Sequence, residues 1–192
     1  IAVVGVGGTG GFVAEGLCRL LMGQPNLRVV LIDHDRVEEH NLARQNFYRE
    51  DLGQFKAQAL AERLARKFGR PVAYALDPLT PGDWQHRGPM ERAGLVIGCV
   101  DNPMAREAIA VHMRRDRWWI DAGNGRDFGQ VLVGNARVGD LDGALDSGKG
   151  ECRALPLPTL VRPELLVPEA PRPACAEAVA AGEQSPTINQ AM

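Results

Sequence analysis

Seven consecutive residues, Gly5-Val6-Gly7-Gly8-Thr9-Gly10-Gly11, include five glycines and separate an apolar run, residues 1–4, from a stretch of helical periodicity. So dense a cluster weakens the interior of a helix or a strand, and belongs to a turn the backbone must make in a special way. Between a strand and a helix, the spacing Gly5-x-Gly7-x-x-Gly10 permits a tight turn. It also lets backbone N–H groups approach a phosphate at a helix N-terminus. A second buried run, residues 27–33, ends in Asp33, 23 positions after Gly10 (33 − 10), where a carboxylate can hydrogen-bond a ribose hydroxyl. Glycines can also serve only close helix–sheet packing, but strand, helix and Asp33 together favour a nucleotide.

The rest of the chain extends the alternation. After the glycine turn, Val13, Leu17, Leu20 and Leu21 are expected on one helical face, with Gly23 as the stop. Residues 34–51 are polar and long for a connection, as functional loops often are. The spacing predicts an amphipathic helix over 53–68, with Ala57, Leu60, Ala61, Leu64 and Phe68 on its buried stripe. Gly69-Arg70-Pro71 ends it. Strands are expected at 72–76, at 95–100 (including Cys99), at 118–121 and at 130–133. A helix is expected from Pro103 to about Arg115. These elements imply an α/β, Rossmann-like three-layer sandwich with a mostly parallel sheet. Six of the 13 prolines fall between Pro156 and Pro173, so that segment reads as an irregular crossover holding Cys152 at its edge. A short helix over 175–181 and another from Thr187 are expected after it. Residues 1–137 read as the nucleotide-binding core, and 138–192 as the crossover and start of the C-terminal part of the same domain. The chain opens inside a strand-like run and stops in a helix-like one, and is expected to be a domain trimmed at both ends.

Composition excludes some partners. With 192 residues, 45% of them hydrophobic, and a net charge of −2, the chain suits one globular domain and argues against a nucleic-acid binder that relies on a basic surface, leaving a local patch open. No apolar run reaches the roughly 18 residues of a membrane span, and no signal peptide opens the chain. Four cysteines without close pairing (Cys18, Cys99, Cys152 and Cys175) suit the reducing cytoplasm.

The residues beyond Asp33 bear on the choice of nucleotide. Asn41, Arg44 and Gln45 lie just past the strand's carboxyl end, Lys56 lies in the first turn of the next helix, and Asp101 comes after the fourth strand. Each alone is more often a solvated surface group. A dinucleotide's two phosphates are neutralised by backbone amides, whereas a triphosphate benefits from an Arg fork and a Lys point charge. A carboxylate at the sheet's carboxyl edge is where a Mg²⁺ bridging phosphate oxygens would be held.

Five separated motifs occur in order: Gly5-x-Gly7-Gly8-x-Gly10, Asp33-x-Asp35-x-Val37, Asn41-Leu42-x-Arg44-Gln45, Gly53-Gln54-x-Lys56-Ala57 and Cys99-Val100-Asp101-Asn102-x-x-x-Arg106. This series resembles the ThiF/MoeB/ubiquitin-activating family of adenylyltransferases. The stretches 120–124, 129–131 and 175–178 look most like ThiF-family members of PRTRC systems. The resemblance implies a cytoplasmic nucleotidyltransferase with an ATP-binding adenylation core over 1–137. It would adenylate the C-terminal carboxylate of a small ubiquitin-like or sulfur-carrier protein, using ATP and Mg²⁺, and act as a homodimer. Carried over, Gly5, Gly7, Gly8, Gly10, Asp33 and Asp35 form the nucleotide site, with Asp33 on the ribose. Asn41, Arg44 and Lys56 hold phosphates, with Gln45 beside them, and Asp101 binds or orients Mg²⁺. An ionised carboxylate needs no general base, which agrees with the lack of an evident catalytic histidine.

Many relatives carry paired Cys-x-x-Cys motifs for zinc; this sequence has none, so no zinc site is expected. Cys175 resembles an acyl-accepting cysteine of part of the family, and a purely structural thiol is the alternative. In several relatives an arginine upstream of the first strand reaches into a partner's site; the sequence begins at that strand, so this position falls before Ile1. Other readings are an NAD-dependent oxidoreductase, a non-catalytic nucleotide-binding scaffold for a ubiquitin-like partner, and a relative that activates a tRNA base. The first would leave Arg44 and Lys56 without a purpose, and intact Arg44, Lys56 and Asp101 count against the second. The near-neutral charge lends nothing to the third.

Overall fold

The computed structural model describes residues 1–77, 88–124, 129–142, 144–146 and 148–168. Six strands, β1 (Ala2–Val4), β2 (Val29–Ile32), β3 (Val72–Ala75), β4 (Leu95–Gly98), β5 (Trp118–Asn124) and β6 (Gly129–Gly134), form one sheet in the order β3-β2-β1-β4-β5-β6. All neighbours run parallel except β6, which returns antiparallel to β5. The chain therefore steps in opposite directions on either side of β1. That creates a switch point between β1 and β4, where a crevice opens beyond the strands' carboxyl ends.

The central strands are almost wholly apolar because both faces are covered. On one face Val3 and Leu31 pack with Ala14 and Cys18 of α1 (Gly8–Leu20) and with Leu60 and Leu64 of α2 (Lys56–Phe68). On the other, Ala2 and Val4 pack with Trp119 and with Ile109 of α3 (Pro103–His112). The alternation Ala2/Val4 against Val3 is the period of two of a strand, and it makes the three-layer sandwich.

Several boundaries differ from expectation. The buried stripe of α1 runs through Gly10, Gly11, Ala14, Cys18 and Leu21, while Leu20 is 77% exposed. Two residues from Cys18 is about 200° around a helix, so Leu20 points away from the sheet. α2 starts at Lys56 rather than Gly53, because Gly53 (φ +79) donates its N–H to the Val37 carbonyl in a turn. β4 ends at Gly98, which puts Cys99 just past the strand.

The proline-rich segment is more ordered than its composition suggests. Pro158 opens a short helix, α4 (Pro158–Val161), and Pro163 opens a 3₁₀ turn, each at a first-turn position that needs no N–H. Leu157, Pro158 and Thr159 are buried, and Leu157 joins the core around Trp119. The Asn135 carboxamide ties this segment down, accepting from Leu155 N–H at 2.9 Å and donating to the Arg153 carbonyl at 3.2 Å. Cys152 lies in β8 (Glu151–Cys152), paired with β7 (Leu145–Asp146). The expected helices over 175–181 and from 187, and Cys175 with them, lie outside the described residues. Among the described residues, no helix is long and apolar enough to cross a membrane.

Candidate active site

The crevice is floored by the glycine turn. Gly5 adopts φ +77 and donates its N–H to the Ile32 carbonyl at 2.9 Å, and a Cβ there would stand 2.8 Å from the Cys99 carbonyl oxygen. A Cβ on Gly10 would stand 1.8 Å from the Gly5 carbonyl oxygen, so no side chain fits. Gly7 caps α1 without a side-chain hydrogen bond, Gly8 is its first residue, and no acidic residue occupies the first turn. The positive end of the helix and its unshared N–H groups thus face the crevice, as an anion requires.

Asp33 sits just past β2. Its Oδ2 accepts the Val6 N–H at 2.8 Å and its Oδ1 the Asp35 N–H at 2.9 Å, so the carboxylate braces the glycine turn. Burial raises its pKa above the ordinary value, against the pull of those two hydrogen bonds and Lys56. Each oxygen keeps a lone pair for a ligand hydroxyl.

The loop from 35 to 55 is closed at its base. Lys56 N–H donates to the Asp35 carbonyl at 2.8 Å and Val37 N–H to the Gln54 carbonyl at 2.9 Å. Arg36 donates to the Gly53 carbonyl at 2.6 Å, with its guanidinium 3.9 Å from the Phe55 ring centre. Lys56 Nζ lies 3.0 Å from Asp35 Oδ2; the lysine side chain is 9% exposed and that of Asp35 56%.

Asn41 is buried, and its Oδ1 accepts the Glu38 N–H at 2.9 Å. Its backbone carbonyl accepts the N–H groups of Arg44 (3.2 Å) and Gln45 (2.9 Å), so Asn41 shapes the turn that carries both. Gln45 lies against the glycine turn, with Nε2 3.5 Å from the Cβ position of Gly7. Its Oε1 is buried and has no partner among the described residues. The half-buried Arg44 side chain makes no ion pair or hydrogen bond among the described residues.

Asp101, exposed, lies two residues past Cys99, whose carbonyl abuts Gly5. Asn102 next to it caps α3 by accepting the Ala105 N–H at 2.8 Å. The structure thus gathers the glycine turn, Asp33, Gln45 and, through Asp35, Lys56; Arg44 and Asp101 are each one or two residues from a contact with that turn.

Asp33, His34 and Asp35 offer ligand atoms within 4.8 Å of one another. Asp33 already accepts two N–H groups and Asp35 is paired with Lys56, which compete with a cation there. Asp101 has no such competitor among the described residues.

Three features escaped sequence reasoning. Arg106 Nε lies 3.3 Å from Asp121 Oδ2 in a buried ion pair at the middle of β5, level with the last residue of β4. Burial raises the Asp121 pKa while Arg106 opposes the shift. The signal available was the helical spacing that turns Arg106 inward with Ala105 and Ile109. Thr9 Oγ1 donates to Asn124 Oδ1 at 3.5 Å, linking α1 to the end of β5. Arg63 holds Asp51 at 2.7 Å. As for thiols, burial and nearby Asp121 push Cys99 up to about 12, so it stays protonated.

The ThiF family profile matches residues 1–152. Ubiquitin-like modifier-activating enzyme 5 of Xenopus laevis is 31% identical over 139 residues, covering 64% of this chain and 33% of that protein. The Bombyx mori protein of the same name is 33% identical over 135 residues, 64% of this chain and 33% of its own. Among solved structures, TcdA (CsdL) superposes with TM-score 0.57 at 29% identity, over 66% of this chain and 49% of that one. E. coli tRNA N6-threonylcarbamoyladenosine dehydratase, TcdA, in complex with ATP superposes with TM-score 0.54 at 29% identity, over 66% and 52%. The chain spans about a third of the length of the enzyme 5 relatives and about half that of the TcdA chains.

Proposed function

The chain belongs to the ThiF family, and from that premise we propose that it is an ATP- and Mg²⁺-dependent adenylyltransferase acting on the C-terminal carboxylate of a small ubiquitin-like or sulfur-carrier protein. One observation carries this reading: the uncapped start of α1 meets a turn bearing Arg44, unpaired among the described residues, and a nearly buried Lys56 stands against Asp35. That is more positive charge than a dinucleotide's two phosphates require, and it suits a triphosphate.

In the proposed reaction, a carboxylate oxygen bonds to the α-phosphorus as the bond to pyrophosphate breaks, leaving an acyl-adenylate. The attacking group is already ionised, so the protein's work is placement and charge neutralisation. Asp33 receives the ribose, and the α1 N–H groups receive phosphate. Arg44 and Lys56 stabilise charge on the departing pyrophosphate, with Asn41 and Gln45 holding the turn in place. Asp101 would hold Mg²⁺, which when bound would neutralise phosphate charge. Residues 1–137 form this ATP-binding core and 138–192 continue the same domain. The protein acts as a homodimer, which light scattering would check.

The relatives named for ubiquitin-like modifiers support a protein substrate. The tRNA-directed name of the TcdA structures favours a second arm, in which the same adenylating pocket serves a modified tRNA. The test is mass spectrometry of a candidate carrier protein, and separately of tRNA, after incubation with ATP and Mg²⁺, with pyrophosphate exchange in parallel. A carrier adenylate is expected. ATP binding without any exchange would leave only a scaffold, and NAD binding tighter than ATP would restore the oxidoreductase.

A further inference from the structure

Arg63 lies two turns beyond Lys56 on α2, on the same helix face and about 10 Å along the axis. Its Nη1 donates to Asp51 Oδ2 at 2.7 Å, and its Nη2 donates to the Asn46 carbonyl. The guanidinium lies 4.7 Å from the Tyr48 ring centre and 5.9 Å from that of Phe47. Asp51 Oδ2 also accepts the Tyr48 N–H at 2.9 Å. One planar fork therefore grips the loop at Asn46 and Asp51, directly after Arg44 and Gln45. The pair is largely buried, with side chains 19% and 10% exposed. A fork with two fixed acceptors is a geometric lock that an ammonium cannot reproduce.

We propose that Arg63 is a positioning residue for the triphosphate: it fixes the 44–51 loop to α2, so that Arg44 on the loop and Lys56 on the helix are held in one register. This rests on the adenylyltransferase reading above, because it assigns Arg44 and Lys56 to the phosphates. Without the lock, Lys56 stays anchored to Asp35, while Arg44 is set only by the turn around Asn41.

The test has two arms. In the first, hydrogen exchange is measured on the nucleotide-free wild type, R63K and D51N. The amides of Arg44, Gln45, Phe47 and Asp51, each hydrogen-bonded within the loop, should exchange roughly tenfold faster in either variant, while those of β1 and β4 keep their rates. Unchanged loop exchange, or equal acceleration throughout the sheet, overturns the lock. Should R63K fail to fold, D51N carries this arm. In the second, the KM for ATP in pyrophosphate exchange should rise roughly tenfold or more in R63K with a smaller change in kcat. In an Arg44→Ala background R63K should add less than about twofold, since the group it positions is gone. Fully additive losses overturn the proposal. A wild type that does not bind ATP would overturn the adenylyltransferase reading instead, and the exchange arm would still judge the lock.

Discussion

Lys56 is tied to Asp35 twice, through its N–H to the Asp35 carbonyl at 2.8 Å and through its Nζ to Asp35 Oδ2 at 3.0 Å. The start of α2, which the proposed function assigns to the phosphates, is thereby pinned to the turn after β2. Asp35→Asn should leave the nearly buried ammonium short of a counter-charge and lower stability by about 1–2 kcal/mol. Bound ATP should close part of that gap, because phosphate takes the carboxylate's place. Thermal unfolding with and without ATP checks this; a deficit unaffected by ATP would separate Lys56 from the phosphates.

Gly10→Ala places a methyl on the Gly5 carbonyl oxygen, 1.8 Å away before relaxation, and should cost about 3 kcal/mol or more. Gly7→Ala meets Gln45 only at the ordinary distance of 3.5 Å, and should lose less stability than Gly10→Ala. Its methyl stands at the anion-facing end of α1, so ATP affinity should fall nonetheless. Denaturant titration and ATP binding on both variants decide; equal stability losses would contradict the geometry.

Asp101 is exposed, so Asp101→Ala should fold normally. Mg²⁺-dependent pyrophosphate exchange should drop roughly a hundredfold or more. Undiminished exchange removes Asp101 from the chemistry.

Asp121→Ala strands the Arg106 guanidinium in the core and should cost about 3–5 kcal/mol. Adding Arg106→Met should recover much of it, since the unpaired charge goes too. A double variant no more stable than Asp121→Ala would show that the pair is not the source of the loss.

Acid stability has two opposing contributions. Glu15 is held below the ordinary 4.5, first by its hydrogen bond with Lys67, so it adds stability above that value that is lost as pH falls through its lowered pKa. Asp33 is raised by burial, so its contribution is present below the ordinary 3.8 and is lost as pH rises through its shifted value. Glu15→Gln should therefore flatten the acid limb of a stability–pH curve by up to about 1 kcal/mol, the range of exposed ion pairs. An acid limb identical to wild type would contradict the Glu15–Lys67 assignment.

Features set by backbone sterics were the readable ones. Gly5 and Gly10 have no room for a side chain, and the period of Ala57, Leu60, Ala61 and Leu64 marks α2 without reference to anything distant. Leu20 is apolar yet stands at an angle that faces away from the sheet, because the small residues Gly10, Gly11 and Ala14 occupy the face that meets it. The Asn41 oxygen shapes its own turn, a partnership that only the folded loop reveals. The partnerships Arg106–Asp121 and Arg63–Asp51 join residues 15 and 12 positions apart in sequence, and only the packing of α3 on β5, and of the loop on α2, selects them.

The reversed direction of β6 has an architectural result. It carries the chain away from the sheet's carboxyl rim and delivers Asn135 beside the Arg115 carbonyl, at the entry to β5, where the proline-rich segment then anchors. The glycine turn and this anchorage thus lie at opposite poles of the sheet. Alterations around Asn135 and Leu157 should be felt as lost durability of the fold, while the glycine-turn pole keeps its own shape for as long as the sheet survives.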